Sequence, residues 1–161
     1  MPTEEKWLTE SERRAWLRLL AVVELLPGSL DTQLRRDSSL THFEYQTLAM
    51  LSEDRERTLQ MSALADRTNA TLPRLSHVIT RLADRDLVER QACPADGRAT
   101  NVVLTDAGWD VIVGAAPGHV AQARATVIDA LTPEQIVQVS EIADAILARL
   151  DPDARMTTFL G

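Results

Sequence analysis

The segment from residue 71 to residue 104 decides the fold: TLPRLSHVITRLADRDLVERQACPADGRATNVVL. In its first half, apolar residues recur at i, i+3, i+4 and i+7, the spacing of one buried helix face, at Leu75, Val78, Ile79 and Leu82. This spacing predicts a helix over residues 72–85, and Pro73 is tolerated in its first turn, where an N–H has no partner in the helix. The polar residues between the apolar ones must then face outward.

The second half of the segment has the alternation of β-strands. Two short β-prone runs, residues 87–92 and 100–104, are separated by the turn-forming residues 94–98, which predicts a β-hairpin with a basic tip. Upstream, residues 61–67 form a shorter helix that is joined to the first one by the turn Asn69-Ala70-Thr71. Helix, short turn, outward-polar helix and hairpin together predict a mainly α-helical, winged helix-turn-helix fold.

This arrangement suits double-stranded DNA. A helix fits the major groove, where its first turns reach base edges, while a hairpin can place an arginine in the adjacent minor groove. The candidate DNA-binding residues lie on the outward face of the 72–85 helix, at its start and on the hairpin: Thr71, Pro73, Arg74, Ser76, His77, Arg81 and Arg98.

Each of these candidates has an alternative structural role. Arg74 either reads guanine edges or holds phosphate, unless it is an ordinary surface arginine, and His77 is either a DNA contact or a solvated side chain. Ser76 and Thr71 are candidate phosphate donors, although Thr71 is also placed to cap the helix. Arg81 is predicted to contact the DNA backbone, and Arg98 is the main wing contact.

The chain resembles the MarR (multiple antibiotic resistance regulator) family over residues 40–108. Five features occur in the family's order: Leu64-Ala65, the apolar face of residues 75–82, Leu87-Val88-Glu89-Arg90, Asp96-Gly97-Arg98 and Leu104-Thr105-Asp106-Ala107-Gly108. The resemblance implies a triangular homodimer that presents two recognition helices to a palindromic DNA site, and it allows a small-molecule effector. Two positions depart from the family pattern: Asp86 replaces a common glycine, and Gly97 replaces the first of two wing arginines.

The two ends of the chain are predicted to form dimerisation helices, over residues 9–37 and 105–150. Apolar residues recur there at heptad-like spacing, which favours packing against a second copy. Hydroxyl residues followed by Glu or Gln three positions later predict capping boxes, at Thr9, Thr41 and Thr132. Pro27-Gly28 predicts a kink or a short break in the first helix.

Aromatic residues and histidines supply candidates for the effector site. The resemblance allows a cavity between the dimer helices and the winged domain, lined by Trp16, His42, Tyr45, Trp109 and His119, although core packing is the alternative for most of them. Cys93, at the base of the wing, is either a redox sensor or a small apolar residue at a strand end. The three histidines lack metal-ligand spacing, so neither a metal nor another cofactor is predicted.

Composition bounds the remaining possibilities. The 161 residues, 45% hydrophobic and 25% charged, suit a single folded domain. The net charge is −7, but residues 67–98 have six arginines and four acidic residues, net +2, while the rest has 11 basic and 20 acidic residues, net −9. Segregated charge lets one face meet phosphate.

The lack of targeting and catalytic motifs also agrees with a DNA-binding protein. One cysteine and the absence of a signal-peptide or membrane-span pattern predict a cytoplasmic protein without membrane contact. The sequence contains no phosphate loop, no nucleophile elbow and no paired His and carboxylate motif. It therefore does not predict an enzyme. Two alternatives stay open: a dimeric ligand-binding or redox-sensing module with weak DNA binding, and a small helical enzyme.

Overall fold

The computed structural model describes residues 7–157. Its elements, in chain order, are α1 (Glu10–Ser38), α2 (His42–Glu53), β1 (Thr58–Gln60), α3 (Met61–Arg67), α4 (Leu72–Ala83), β2 (Val88–Cys93), β3 (Asp96–Leu104), α5 (Asp106–Thr126), a 3-10 turn (Ile128–Ala130) and α6 (Pro133–Leu150). The mainly helical winged helix-turn-helix prediction is confirmed, with α3 and α4 as the helix-turn-helix and β2 and β3 as the wing.

The predicted capping boxes form at the starts of three helices. At α1, α2 and α6 the threonine hydroxyl accepts from the backbone N–H three residues later, and the Glu or Gln there accepts from the threonine N–H. Each box satisfies two backbone donors that have no partner within the helix. The starts of these helices are therefore set by local sequence.

Helix α1 runs through Pro27 without interruption, so of the predicted kink or short break the break is wrong, and the kink stays a prediction. Proline lacks the N–H that would bond to the carbonyl of Val23, and the helix loses that one bond. The neighbouring turn gains another, because the Thr32 hydroxyl donates to the Gly28 carbonyl at 2.9 Å. A helix of 29 residues retains its other backbone bonds on both sides of the proline.

The sheet contains a strand that the sequence pattern does not predict. The strand order is β1-β3-β2, and both pairings are antiparallel. Strand β1 is three residues long, too short to show an alternating pattern, and Leu59 is its one buried residue. It forms because β3 offers an unpaired edge, with Leu59 opposite Val102.

The wing also differs from its predicted outline. The chain reverses at Pro94-Ala95, and β3 already begins at Asp96, whereas the sequence predicts a loop over residues 94–98. Ala92 pairs with Thr100 and Cys93 with Asp96, so residues 97–99 bulge from β3. A bulge lets a strand continue where its pairing is irregular, which is why Arg98 lies in a strand and not in the loop.

One hydrophobic core lies beneath the winged helix-turn-helix. The apolar face of α4 is buried as predicted and packs with fully buried residues of the other elements, Leu40, Leu48, Leu51, Leu64 and Val102. This packing fixes the side of α4 that faces inward, and so exposes its polar side.

Asp86 adopts the left-handed conformation, with φ of 58°. It occupies the position at which the family pattern commonly has glycine. An L-residue pays about 1–2 kcal/mol for this conformation. Asp86→Gly is expected to raise the free energy of unfolding by about 0.5–1 kcal/mol, since glycine's greater freedom in the unfolded chain offsets part of the gain. Urea denaturation measures the change, and an equal or lower stability would contradict it.

The terminal helices expose apolar surface. Helix α6 buries none of its residues, and α1 buries only Gln33 and Leu34, both in its C-terminal half. Large apolar side chains are instead exposed on three helices, including Trp16, Leu17, Leu19, Val22 and Val23 of α1, Val113 and Val120 of α5, and Ile136, Val137, Val139 and Ile142 of α6. Soluble proteins seldom leave so extensive an apolar surface uncovered.

Candidate nucleic-acid interface

Helix α4 presents its N-terminal half to solvent. Thr71 is its N-cap, and the Thr71 hydroxyl accepts from the Arg74 N–H at 3.4 Å. Pro73, Arg74 and His77 are exposed, and Ser76 is half-buried. No hydrogen bond or ion pair within residues 7–157 engages the side chain of His77, so this imidazole is available to a base or a phosphate.

Two arginines of α4 turn toward α2. The Arg74 guanidinium lies 4.3 Å from the ring centroid of Phe43, in a cation–π contact. Arg81 forms an ion pair of 3.0 Å with Glu44, a carboxylate whose side chain is only 7% exposed. The ring orients Arg74 without consuming its hydrogen-bond donors, whereas Arg81 already has an anionic partner that competes with its predicted contact to phosphate.

Arg90 joins the wing to the recognition helix, a role that the sequence pattern did not assign. Its Nη2 donates to the Ser76 carbonyl at 2.7 Å, to the Thr80 hydroxyl at 3.0 Å and to the Ser76 hydroxyl at 3.2 Å. The available signal was the spacing of the two hydroxyls, four residues apart on one helix face. Ser76 accepts from Arg90 and still has its own proton to donate.

Arg98 lies on the bulged part of β3. The Arg98 N–H donates to Asp96 Oδ1 at 3.0 Å, so Asp96 orients the backbone of the bulge and not the guanidinium. Within residues 7–157 no acceptor holds the Arg98 side chain, which is exposed. Arg74 and Arg98, neither of which has an acidic partner, therefore sit on the two elements that would enter adjacent grooves.

Comparison with protein families matches residues 38–99 to the MarR family. Sco3205, a MarR family transcriptional regulator of Streptomyces coelicolor solved in complex with DNA, is 40% identical, with a TM-score of 0.88 over 92% of this chain and 93% of that one. AbsC, another MarR family regulator of that organism, is 37% identical, with a TM-score of 0.85 over 90% and 97% of the two chains. The chain belongs to the MarR family. It is a transcriptional regulator, as are the relatives that it matches.

The five candidate effector residues of this MarR protein do not form one cluster. The Tyr45 and His119 rings lie 4.3 Å apart, and the His42 and His119 rings 6.3 Å apart. Trp109 instead packs beneath Arg57, at 3.9 Å, because ten residues of α5 separate it from His119 by about 15 Å. Trp16, half exposed, lies about 25 Å along α1 from Gln33, where α1 passes α5.

The histidine cluster lies where α1, α2 and α5 meet. The His42 N–H donates to Asp31 Oδ1 of α1 at 2.8 Å, and Gln33 is buried beside Gly118 of α5. Gln33 Oε1 and the Nδ1 atoms of His42 and His119 are buried without a hydrogen-bond partner. Unpaired buried polar atoms cost free energy, so this junction is a place where a polar ligand atom would be stabilising.

Acidic pH should destabilise the fold through these two histidines. Burial lowers the pKa of His42 and of His119 from the ordinary 6.5, and His42 lowers that of His119 further, while Asp31 opposes the shift of His42. The unfolded chain then binds protons at a higher pH than the folded one. The free energy of unfolding should fall as the pH drops below about 6.5, as urea denaturation at pH 7.5 and 5.5 measures. A variant with both histidines replaced by glutamine should lose less stability, and an equal loss would contradict the assignment.

Cys93 is buried at the wing turn, with Gln60 Nε2 3.5 Å from its Sγ. Backbone N–H groups of Ala95 and Asp96 donate to the sulfur and lower the pKa of the thiol. Sequence pattern does not predict this lowered pKa, because no basic residue adjoins Cys93 and the shift comes from the geometry of the turn. The redox role stays a prediction.

Residues 7–157 contain neither a cluster of metal-ligating side chains nor a membrane-spanning helix. No three His, Cys, Asp or Glu side chains of residues 7–157 come together as metal ligands would. No helix of that range has the length and apolar character needed to cross a bilayer.

Proposed function

We propose that this MarR protein is a homodimeric, ligand-responsive repressor that binds a pseudo-palindromic site in double-stranded DNA, in the cytoplasm, and that it catalyses no reaction. The observation that carries the proposal is the pairing of an exposed α4 N-terminal half with an exposed wing arginine, Arg98, on one winged unit. The 40% identity to Sco3205, whose structure contains DNA, supports DNA binding.

The chain acts as one functional unit with two parts. Residues 40–108 contact DNA, and residues 9–37 and 105–150 form the dimer. The apolar surface exposed on α1, α5 and α6 supports burial against a second copy, because a twofold interface joins the same patch of both chains. Two recognition helices then meet half-sites whose centres are about one helical turn, near 10 base pairs, apart.

The effector is a small anionic or aromatic molecule. A cleft of about 600 Å³ lies between α1, α2 and α4 and is lined partly by Asp31, Arg35, Arg74, Arg81, His42 and Phe43. Arg35 and Arg81 are paired with Asp31 and Glu44, so the guanidinium of Arg74 and the aromatic groups are what suit a carboxylate on a ring. A ligand there would change the angle between the recognition helix and the dimer helices. Chemical-shift mapping tests the site, and perturbation confined to a distal surface would contradict it.

The decisive experiment measures binding by fluorescence anisotropy. It compares the DNA upstream of the protein's own gene with a scrambled duplex, in a salt series. Sequence-specific binding is expected to exceed binding to the scrambled duplex by about a thousandfold or more. Equal, strongly salt-dependent affinity for both duplexes would favour the alternative, a dimeric module with weak DNA binding. The departure at Gly97, which leaves the wing one arginine fewer, makes that alternative worth testing.

Arg74 and Arg98 should respond differently to substitution. Arg98→Ala removes a charge from the minor groove or its phosphates, so it should weaken binding to most sequences and lower the salt slope by roughly 0.9 per lost phosphate contact. Arg74→Ala should cost about 1–3 kcal/mol per half-site on the preferred site and far less on scrambled DNA. Anisotropy on both duplexes, with a salt series, measures both effects.

The matched control is Arg149→Ala, near the end of α6. It removes the same charge away from the proposed DNA face and should change binding little. If Arg149→Ala proves as damaging as Arg98→Ala while the dimer stays intact, the DNA surface has been assigned to the wrong part of the protein.

A further inference from the structure

We propose that Arg90 is a positioning residue: it locks the wing to the recognition helix, so that both elements reach adjacent grooves together and sequence-specific binding is favoured over random binding. The inference rests on the proposed function, because the gain in sequence-specific affinity appears only when DNA is bound. It assigns to Arg90 no contact with DNA.

The geometry of one guanidinium nitrogen carries the first step. Nη2 of Arg90 lies within 2.7–3.2 Å of three oxygens of α4, all from Ser76 and Thr80. The Thr80 hydroxyl itself donates to the Ser76 carbonyl at 3.0 Å. The two hydroxyls and the carbonyl thus form a small acceptor site on the helix, and charge-assisted bonds to such a site are stronger than neutral ones.

The position of Arg90 in the wing supplies the second step. Arg90 lies on β2, opposite the fully buried Val102 of β3, so the residue is anchored at the base of the wing. The rest of the hairpin projects beyond it, with Ala92 and Gln91 exposed. Pairing with β3 and the buried Cys93 hold the hairpin to the sheet beyond this point, and the bond from Arg90 to α4 is what ties that hairpin to the recognition helix.

The partners of the other α4 side chains supply the third step. Arg74 and Arg81 bind the helix to α2, through Phe43 and Glu44, which is the opposite side of α4 from Ser76 and Thr80. The recognition helix is therefore held on both flanks, and Arg90 is its side-chain link to the wing. Preorganisation of two contacting elements raises affinity without adding any contact.

The test compares Arg90→Ala, Thr80→Val and the double variant with the full-length protein. In DNA-free protein, the ¹⁵N order parameters of residues 91–99 should fall from about 0.85 toward 0.6 in Arg90→Ala. Affinity for the specific site should drop about tenfold, while affinity for scrambled DNA stays within about twofold and the salt slope is unchanged. Thr80→Val removes a hydroxyl without a change of shape, so it should lose affinity in the wild-type background and little more in the Arg90→Ala background.

Gln91→Ala, on the same strand, and Arg149→Ala, of equal charge change, are the controls, and both should behave as wild type. A lower salt slope with equal losses on both duplexes would make Arg90 a phosphate contact and overturn the proposal. Unchanged order parameters in Arg90→Ala, or additive losses in the double variant, would overturn it too. If the unmodified protein binds no DNA, the proposed function fails, whereas the order parameters still decide whether Arg90 holds the wing.

Discussion

Replacing Gly108 by alanine is expected to lower the free energy of unfolding by about 3 kcal/mol, the upper end of the cost of overpacking a filled core. Gly108 is buried in the first turn of α5, and a methyl group there would overlap the backbone carbonyl of Leu87 and lie 2.6 Å from Leu104 Cδ1. The carbonyl cannot move away freely, because it accepts from the Thr105 N–H at 3.2 Å. The added methyl must therefore separate α5 from the base of the wing.

Gly114→Ala is the matched control, since Gly114 lies on the same helix and a Cβ there meets no atom within 4 Å. Alanine in a helix interior is favoured over glycine by about 0.5–1 kcal/mol, so the control should be neutral or more stable. Urea denaturation at one protein concentration compares the two. If Gly108→Ala lowers the free energy of unfolding by less than about 1 kcal/mol, the contact with Leu87 does not determine how closely α5 packs against the base of the wing.

Val139→Glu is expected to convert the protein into a monomer and, with it, to abolish tight DNA binding. Val139 is 48% exposed on α6, a helix that buries none of its residues within the described chain. In the proposed dimer each copy would bury one uncompensated carboxylate, and an unpaired buried charge costs about 3–5 kcal/mol. The dimer dissociation constant should rise at least about a hundredfold, as sedimentation or light scattering at micromolar concentration measures.

Ala148→Glu introduces the same charge nine residues later, about two and a half turns away and so on the opposite face of α6. It should leave both the dimer and DNA binding intact. Circular dichroism on both variants separates a loss of assembly from a loss of folding. A monomeric unmodified protein, or a Val139→Glu variant that remains dimeric and tight-binding, would remove the basis for a dimer through α6.

The local elements of this fold could be predicted because their signals are local. A threonine with Glu or Gln three residues later satisfies its own helix N-terminus, and α1, α2 and α6 begin where these pairs stand. The buried face of α4 follows from the spacing of Leu75, Val78, Ile79 and Leu82, and all four are buried. Such interactions span one turn, so the neighbouring residues contain all the information needed.

The missed elements depend on partners far away in the chain. Strand β1 has no alternating pattern of its own and exists because Leu59 meets Val102. The histidine cluster likewise depends on which turns of α1, α2 and α5 meet, and a shift of ten residues along α5 excludes Trp109 from it. Sequence spacing along separate helices does not record where those helices cross.

The sequence by itself determined that this chain forms a winged helix-turn-helix and which residues of α4 face outward, because helix periodicity and capping depend only on residues within one element. Only the tertiary structure decided which of those residues are available. Arg81 is held by Glu44 from 37 positions upstream, and Ser76 is engaged by Arg90 from the wing. Arg74 and Arg98 keep their donors without an acidic partner. The physical reason is that the ionic and hydrogen-bond partners of a long side chain are set by three-dimensional packing, which the order of residues along one helix does not specify.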